Sequence, residues 1–318
     1  MQTLDIVQAR VLHRPTPAHG YLPEGPRAVT TGRLSWITIQ CGATATHGAL
    51  HVLATGRGEN RTWKLPGRPG FAFGTNRDGV FLLGMERSVG LFDTGTNRFT
   101  PLAEGIDSHT TGTIVNDAVL HEAGLVFGCK DTAFREAKAG LWFLRRRDLR
   151  LFELRRDQLC SNGKVLREQA DGTLDLFDID SPSRVVVRYR FDPAAGTLSA
   201  PTIAIDLRQQ RGVPDGMIQV PGTDEVVVAM FDPEPAAFGR ALQCSLRTGA
   251  VVREFHTPGA AQVTCPAWLQ TQHGAHLVLT TAAEHLTAER AAAQPNAGCL
   301  FLAPTPRVPV PIAPIWTI

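Results

Sequence analysis

The chain has 318 residues, of which 43% are hydrophobic and 19% charged, and its formal net charge is +2. This composition supplies enough apolar residues for a sizeable core and is not that of a disordered chain. So small a net charge gives no broad electrostatic field for nucleic acid or for an anionic membrane surface. We therefore expect neither of those partners, and a small molecule instead.

The cysteines and the N-terminus bear on the cellular compartment. The six cysteines include neither a Cys-x-x-Cys pair nor a zinc-ribbon spacing, so we expect free thiols. The segment from Met1 to Arg10 lacks the positive start and the apolar stretch of a secretory signal. No window approaches about 18 uninterrupted apolar residues, so no membrane span is expected. We expect a cytoplasmic protein that is a monomer or a weak homodimer.

Short β-favouring runs recur along the chain and predict strands. In chain order they are Leu34 to Ile39, Leu50 to Leu53, Val80 to Leu83, Leu125 to Phe127, Leu141 to Leu144, Val185 to Phe191, Val226 to Phe231 and Leu277 to Thr280. Turn dipeptides with glycine separate such runs: Asp78-Gly79, Thr94-Gly95, Asp171-Gly172, Ala195-Gly196 and Thr248-Gly249. Good helix formers without a breaker predict one short surface helix, from Glu284 to Ala293. The sequence therefore predicts an all-β protein with many hairpins.

The strand pattern is compatible with a sandwich, a barrel or a propeller. A propeller blade of four strands needs about 40 to 50 residues, so 318 residues can hold about six blades. No low-complexity linker divides the chain, which predicts a single domain over residues 1–318. Residues near Val7 to Leu12 are expected to pair with strands near Leu300 to Leu302, which would remove exposed sheet edges. The proline-rich segment from Pro304 to Pro314 is expected to run extended.

Four short segments carry the candidate chemistry: Glu24-Gly25-Pro26, Asn116-Asp117, Ser161-Asn162-Gly163 and Pro214-Asp215-Gly216-Met217. Oxygen-bearing side chains stand here beside residues typical of turns, which predicts loops gathered at one end of a β-rich scaffold. Oxygen ligands from separate loops can hold a hard cation. Taken singly, each segment is also an ordinary turn signal. The motifs of zinc proteases, α/β-hydrolases and P-loop NTPases are absent.

In this order and at these separations, the segments resemble the senescence marker protein/gluconolactonase/luciferin-regenerating enzyme family, also called regucalcin-like. The resemblance runs from Glu24 to Trp268. It implies a six-bladed β-propeller and a metal-dependent hydrolase that opens a lactone, with a polarised carbonyl and an activated water. The alternatives are a non-catalytic calcium-binding propeller, a related esterase or phosphotriesterase-like enzyme, and a biosynthetic enzyme acting on a non-sugar ring.

The resemblance also implies roles for individual residues. Glu24, Asn162 and Asp215 match the family's ligands for one divalent cation. An all-oxygen set favours Ca²⁺, Mg²⁺ or Mn²⁺ over Zn²⁺, and of the four ions we expect Ca²⁺ first. Asp215 is also the implied catalytic residue, which orients the attacking water or takes its proton.

The implied substrate contacts come from one stretch of the chain. Asn116 and Asp131 match pocket residues of the family. Ile114 stands where sugar-lactonase members often carry Arg, so the resemblance leaves either a non-sugar lactone or a loss of catalysis open. Lys130 replaces an apolar residue of the family and adds a positive charge that suits an anionic substrate. Asp180 is expected close to the Asn162 segment.

Overall fold

The computed structural model describes residues 4–305 and 315–318, and nearly every regular element in them is a strand. The strands, in chain order, are β1 (Asp5–Gln8), β2 (Arg10–His13), β3 (Pro23–Thr30), β4 (Arg33–Thr38), β5 (Ala49–Ala54), β6 (Glu59–Lys64), β7 (Pro69–Gly74), β8 (Val80–Met85), β9 (Ser88–Asp93), β10 (Arg98–Glu104), β11 (Thr113–His121), β12 (Gly124–Asp131), β13 (Ala139–Arg145), β14 (Leu151–Gln158), β15 (Ser161–Glu168), β16 (Leu174–Asp180), β17 (Val185–Asp192), β18 (Thr197–Leu198), β19 (Thr202–Asp206), β20 (Val213–Gln219), β21 (Glu225–Phe231), β22 (Phe238–Ser245), β23 (Val251–Pro258), β24 (Val263–Thr271), β25 (Gly274–Thr281) and β26 (Leu300–Pro304). Two short helices accompany them, the 3-10 helix η1 (Ser181–Ser183) and α1 (Ala288–Ala293).

The strands form six separate sheets of four or five strands each. Sheet I is β3-β4-β5-β6, sheet II is β7-β8-β9-β10, sheet III is β11-β12-β13-β14, sheet IV is β15-β16-β17-β18 with β19 also on β17, sheet V is β20-β21-β22-β23-β1, and sheet VI is β24-β25-β26-β2. The predicted strands and hairpin turns are confirmed. Six such sheets are the blades of a six-bladed β-propeller, so the predicted fold class is confirmed.

The predicted surface helix is shorter than expected. We predicted it from Glu284, and it begins at Ala288. Thr287 caps the helix, because its side chain accepts a hydrogen bond from the backbone N–H of Arg290 at 3.3 Å. His285 has a left-handed backbone with φ of +56°, which keeps the preceding residues out of the helix.

The chain divides into two compact units. The first comprises the described residues of Met1–Arg68 and Gln209–Ala313, which hold sheets I, V and VI. Its N-terminal strands complete two sheets: β1 pairs in parallel with β23, and β2 pairs antiparallel with β26. The predicted pairing of Val7 to Leu12 with the strand near Leu300 is thus confirmed for Arg10 and Val11, whereas Val7 and Gln8 pair with β23. Of the proline-rich segment, residues 306–314 lie outside the described residues.

The second unit comprises the described residues of Pro69–Arg208 and Pro314–Ile318, which hold sheets II, III and IV. Aromatic side chains dominate its core. Phe71 and Phe127 are fully buried between sheets II and III, and Phe143 and Phe191 meet edge to face between sheets III and IV at 5.0 Å between ring centroids. Trp316, near the C-terminus, is buried in the same unit. A single domain over residues 1–318 stays a prediction.

The opening strand of each sheet (β3, β7, β11, β15, β20 or β24) has an irregular register of the kind a β-bulge produces. The irregularities fall between Glu24 and Arg27, Pro69 and Phe71, Val115 and Ala118, Ser161 and Lys164, Pro214 and Met217, and Val263 and Pro266. A bulge bends its strand and turns side chains out of the regular alternation. This is the feature of the fold that positions the candidate site.

Within each unit, glycines let neighbouring opening strands approach closely. In the second unit a Cβ added to Gly70 of β7 would lie 2.4 Å from the backbone oxygen of Asn116 on β11. In the first unit a Cβ on Gly216 of β20 would lie 2.7 Å from Cys265 Sγ on β24. A side chain cannot occupy either position without moving a neighbouring strand.

Replacing Gly70 by Ala is expected to destabilise the fold by about 1–3 kcal/mol, because overpacking forces backbone shifts. The added methyl group would overlap the carbonyl oxygens of Val115 and Asn116, at 2.5 and 2.4 Å. Gly56→Ala is the matched control, since nothing lies within 4 Å of its added Cβ. Urea unfolding of both variants measures the difference, and equal stabilities would contradict this account of the packing of sheets II and III.

Candidate functional site

The predicted segments lie inside strands, so the expectation of loops was wrong. Glu24-Gly25-Pro26 belongs to β3, Asn116-Asp117 to β11, Ser161-Asn162-Gly163 to β15 and Asp215-Gly216 to β20. Each lies at the irregularity of its opening strand. A bulge uses the unusual backbone angles that Gly and Asn also adopt in turns, and Gly25 has a φ of +53°. Gly and Asn in a sequence can therefore indicate a bulge as well as a turn.

Glu24, in the first unit, is a buried carboxylate at the bulge of β3. It is 7% exposed, and its Oε2 accepts a hydrogen bond from the backbone N–H of Gly25 at 2.9 Å. The neighbouring carbonyl of Pro23 accepts from Thr264 Oγ1 at 2.7 Å, which ties β3 to β24. Glu24 thus presents an oxygen ligand on a backbone that the adjacent sheet holds in place.

Asp215 lies in the same unit at the bulge of β20 and is 8% exposed. Gly216 beside it packs against Cys265, and Arg27 Nη1 approaches the same sulfur from β3 at 3.8 Å. β24 therefore lies between the strands that carry the two predicted carboxylates. The sequence did not single out Arg27, because one arginine after Gly-Pro has no distinctive spacing. Its guanidinium also donates to the carbonyl of Pro26 at 2.8 Å.

In the second unit the side chains of Asn116 and Asn162 meet. Asn116 Nδ2 donates to Asn162 Oδ1 at 2.7 Å and to the carbonyl of Ser161 at 3.0 Å. Asn162 Nδ2 in turn donates to Ser181 Oγ at 2.8 Å. These contacts fix the orientation of both amides. An amide oxygen has two lone pairs, so Asn162 Oδ1 keeps the capacity for a second partner.

A buried ion pair that the sequence did not predict supports Asn162. Lys164 Nζ lies 3.3 Å from Asp178 Oδ1, and both side chains are fully buried, at 0% exposure. The ammonium also donates to Ser161 Oγ at 2.9 Å and to the backbone oxygen of Asn162. A buried lysine is stable only when it is paired and hydrogen-bonded in this way. Lys164 therefore fixes the backbone on both sides of the bulge in β15.

Asp180 lies beside this bulge, as predicted, with Ser161 opposite it in the strand register. Its Oδ1 accepts hydrogen bonds from the backbone N–H groups of Leu159 and Cys160 at 3.2 and 2.8 Å. Burial nevertheless raises the pKa of Asp180 above its ordinary value, and the negative charge of Asp178 raises it further. Asp180 thus takes up a proton more readily than a surface aspartate.

Asp131 holds the loop that follows β12. Its side chain is 1% exposed, and Lys138 Nζ lies 3.5 Å from its Oδ1. The carboxylate accepts from three backbone N–H groups of the loop, those of Ala133 at 3.4 Å, Arg135 at 2.9 Å and Glu136 at 3.1 Å. Burial alone would raise the pKa of Asp131, but these donors and Lys138 outweigh it and lower the pKa. A direct substrate contact by Asp131 stays a prediction.

Ile114 and Lys130 face each other across β11 and β12. Paired residues of an antiparallel ladder share one face of the sheet. Ile114 is 2% exposed and Lys130 is 8% exposed. An apolar side chain thus occupies the position where the resemblance implies an arginine in sugar lactonases, and a lysine lies directly opposite it.

All six cysteines are free, as predicted. Burial raises the pKa of the Cys129 thiol well above its ordinary value, and the neighbouring Asp107 raises it further, so this thiol is no nucleophile.

No helix within residues 4–305 and 315–318 is long and apolar enough to cross a membrane. In the same part of the chain, no three His, Cys, Asp or Glu side chains form a metal-binding group.

Comparison with known families identifies the chain. Residues 22–283 match the SMP-30/Gluconolactonase/LRE-like region. The chain belongs to the SMP-30/gluconolactonase/LRE-like family. The family resemblance of the four segments is confirmed, and the matched range contains every predicted site residue. Membership places this protein among lactonase-like propellers.

Curated relatives of this SMP-30/gluconolactonase/LRE-like protein match part of its length. A Bacillus subtilis (strain 168) protein named as a sugar lactone lactonase, YvrE, is 32% identical over 132 residues, 40% of this chain and 41% of that protein. An uncharacterised protein of Sulfolobus acidocaldarius is 31% identical over 110 residues, 35% of this chain and 37% of that protein. The matched segments span less than half of each relative, so they do not define the substrate.

Solved structures of similar proteins share the fold. A regucalcin from Agrobacterium tumefaciens, described as a calcium-binding protein, has a TM-score of 0.82 at 22% identity, with 100% of both chains covered. A luciferin-regenerating enzyme has a TM-score of 0.78 at 16% identity, covering 94% of this chain and 96% of that one. A gluconolactonase from Xanthomonas campestris, XC5397, has a TM-score of 0.62 at 15% identity, covering 94% and 90%. At these identities the likeness supports the fold alone.

Replacing Lys164 by Met is expected to lower the free energy of unfolding by about 3–5 kcal/mol, because Asp178 is left as an unpaired buried charge. The double variant Lys164→Met/Asp178→Leu should recover most of the loss, since apolar residues in place of a buried ion pair are close to neutral. Urea unfolding measures both changes. A single variant as stable as the parent, or a double variant no more stable than the single one, would refute this account of the pair.

Proposed function

We propose that this protein is a lactonase that opens its substrate with the help of one bound divalent cation. Family membership supports the reaction class. The observation that carries the proposal is the placement of two buried carboxylates, Glu24 and Asp215, and of the fixed Asn162 amide at bulges of opening strands. Carboxylate and amide oxygens are the ligands that hard cations prefer.

Glu24, Asn162 and Asp215 would hold the cation. The donor set suits a hard cation, because it combines two buried carboxylates with an amide oxygen. Asn162 Oδ1 accepts one hydrogen bond from Asn116 and keeps a second lone pair. Three oxygen ligands favour Ca²⁺, with Mg²⁺ or Mn²⁺ next. When bound, the cation supplies Lewis-acid chemistry that polarises the lactone carbonyl and makes water more acidic.

Asp215 is the proposed general base. Its carboxylate takes a proton from the attacking water while the water oxygen bonds to the carbonyl carbon of the lactone. The ring C–O bond then breaks, and the leaving oxygen takes the proton back from Asp215. The product is the ring-opened hydroxy acid, which carries every atom of the lactone and the water.

The other predicted residues act around this centre. Asn116 is a positioning residue, because its Nδ2 holds the amide of Asn162. Ile114 gives the substrate an apolar neighbour on β11. Asp131 fixes the loop after β12 from which substrate contacts would come. The proposed partner of the protein is a small molecule, a lactone.

Metal-stripped protein is expected to hydrolyse no lactone, and addition of Ca²⁺ should restore hydrolysis, because the carbonyl is otherwise not polarised. A pH-indicator assay with sugar and aliphatic lactones, and with Ca²⁺, Mg²⁺, Mn²⁺ or Zn²⁺ added in turn, measures this. Tight Ca²⁺ binding without hydrolysis of any lactone would instead favour the non-catalytic calcium-binding propeller. Hydrolysis that survives metal removal would refute the metal dependence.

Replacing Asp215 by Asn is expected to lower kcat by at least about a hundredfold, because the general base is lost. The circular dichroism spectrum and the melting temperature should change little, since Asn has nearly the same shape. Asp171→Asn is the control, as that carboxylate is 63% exposed in the turn after β15. An Asp215→Asn protein with wild-type turnover would remove Asp215 from the mechanism.

A further inference from the structure

Lys130 is buried without the partners that a buried lysine normally has. The residue is 8% exposed, and among the residues that the structure describes its ammonium has no ion pair and no hydrogen bond. The ammonium lies over the ring of Phe134, and Nζ is 5.9 Å from the ring centroid. Lysine is almost never buried unless it is paired, because removing an ammonium from water is costly. Lys130 Nζ is not among the fully enclosed polar atoms that lack a hydrogen-bond partner, so the ammonium reaches the surface and a partner from outside the protein can contact it.

Lys164, on the adjacent opening strand, shows what a structural lysine looks like in the same unit. Its ammonium contacts Asp178 at 3.3 Å and donates to Ser161 Oγ at 2.9 Å and to a backbone oxygen. The protein supplies all of these partners. Lys130 has none of them, so a purely structural role does not account for it.

The position of Lys130 in sheet III directs it towards sheet IV. Gly128, two residues earlier in β12, shares its face, and a Cβ there would lie 2.0 Å from Ser161 Oγ of β15. Ile114 of β11, the register partner of Lys130, shares that face too. The strand it faces is the one that carries Asn162. Lys130 thus lies on the face of sheet III that is turned towards β15.

A strained aromatic residue stands next to the ammonium. Phe134 is 54% exposed, and its φ of +52° is in the left-handed region, which bulky residues rarely adopt. The loop is held in this shape by Asp131, whose carbonyl accepts from the N–H of Phe134 at 3.1 Å and whose carboxylate accepts from N–H groups further along the loop. Backbone strain of this kind is typical of ligand-contacting segments. The left-handed backbone that places this aromatic ring beside Lys130 therefore costs the fold some stability.

We propose that Lys130 binds a carboxylate carried by the substrate. This inference rests on the proposed lactonase function and narrows its substrate class to lactones that bear a negative charge. The ammonium forms a charge-assisted hydrogen bond with the substrate carboxylate, while Ile114 and the ring of Phe134 contact the apolar part of the molecule. Lys130 is a specificity-determining residue and takes no part in bond breaking.

The surroundings of Lys130 favour a carboxylate over a phosphate. Phosphate sites in proteins usually combine several donors, such as arginine clusters or backbone N–H groups at a helix N-terminus. In the described part of sheet III, Lys130 faces an isoleucine and an aromatic ring. One ammonium in an apolar setting matches a single negative charge.

The test compares two lactones that differ in one group. The first is γ-butyrolactone with a carboxylate on the ring carbon next to the ring oxygen, and the second carries the neutral primary amide there. Isothermal titration calorimetry measures their binding to the Ca²⁺-loaded parent protein, to Lys130→Met and to Lys130→Arg, and the pH-indicator assay measures hydrolysis. Lys64→Met, which removes an exposed lysine of β6, is the control.

The parent protein is expected to bind the carboxylate about tenfold to about a hundredfold more tightly than the amide, the range for a hydrogen bond to a charged group. Lys130→Met should lose this preference and keep its affinity for the amide. Lys130→Arg, which keeps the charge, should retain part of the preference, and Lys64→Met all of it. A Lys130→Met protein that folds and still prefers the carboxylate would overturn the proposal, as would equal binding of both compounds by the parent.

Binding and hydrolysis separate this inference from the proposed function. A preference for the carboxylate that depends on Lys130, in a protein that hydrolyses neither these two compounds nor any sugar or aliphatic lactone, would refute the lactonase function and still support the anion site. Hydrolysis of both compounds, with a preference for the carboxylate that is unchanged in Lys130→Met, would support the lactonase function and refute the anion site at Lys130.

Discussion

The β-bulge in the opening strand of each sheet is the constraint on which the rest of the structure depends. In a regular strand, side chains alternate between the two faces, so each is committed to a core on one side or the other. At the bulges of β3 and β20, carboxylates leave this alternation while the flanking residues stay in the sheet. The site residues therefore sit on strands, which hold side chains more firmly than loops do. Glycine at the point of contact keeps the neighbouring strand close, as Gly70 and Gly216 show.

Polar groups buried near these bulges divide into two kinds. Lys164 and Asp178 form an ion pair, and Lys164 also binds the backbone oxygen of Asn162. Their charges therefore stabilise the fold around Asn162. Lys130 is 8% exposed and lies beside the ring of Phe134, with no ion pair of its own among the described residues. A lysine of this kind is available to a ligand that carries a negative charge. The two lysines differ in this way although they lie in adjacent sheets of one unit.

The sequence predicted the architecture more fully than the site. Strand runs and glycine turns repeat at short intervals, and they predicted an all-β fold because hairpins are local structures. The choice of a six-bladed propeller came from the family resemblance. The loop expectation for Glu24 and Asn162 failed, since Gly, Pro and Asn favour turns and bulges alike. Lys164 and Arg27 were not recognised, because a single charged residue in a strand usually faces solvent, and only tertiary packing shows that it is buried. The contact between Asn116 and Asn162 could likewise not be predicted, because the two residues are 46 positions apart in the chain and lie on different strands.

The pairing of β2 with β26 has a consequence for how the chain acquires its structure. Arg10 lies opposite Leu302, so sheet VI joins strands that are far apart in the chain. A chain leaving the ribosome can form sheet I and the hairpins after it in order, including that of β24 and β25, but sheet VI is complete only when β2 pairs with β26. Contacts of such long sequence separation fold slowly. Until that late step, the N-terminal strand has no partner in sheet VI, and a nascent chain that stops short of β26 leaves this sheet with an open edge.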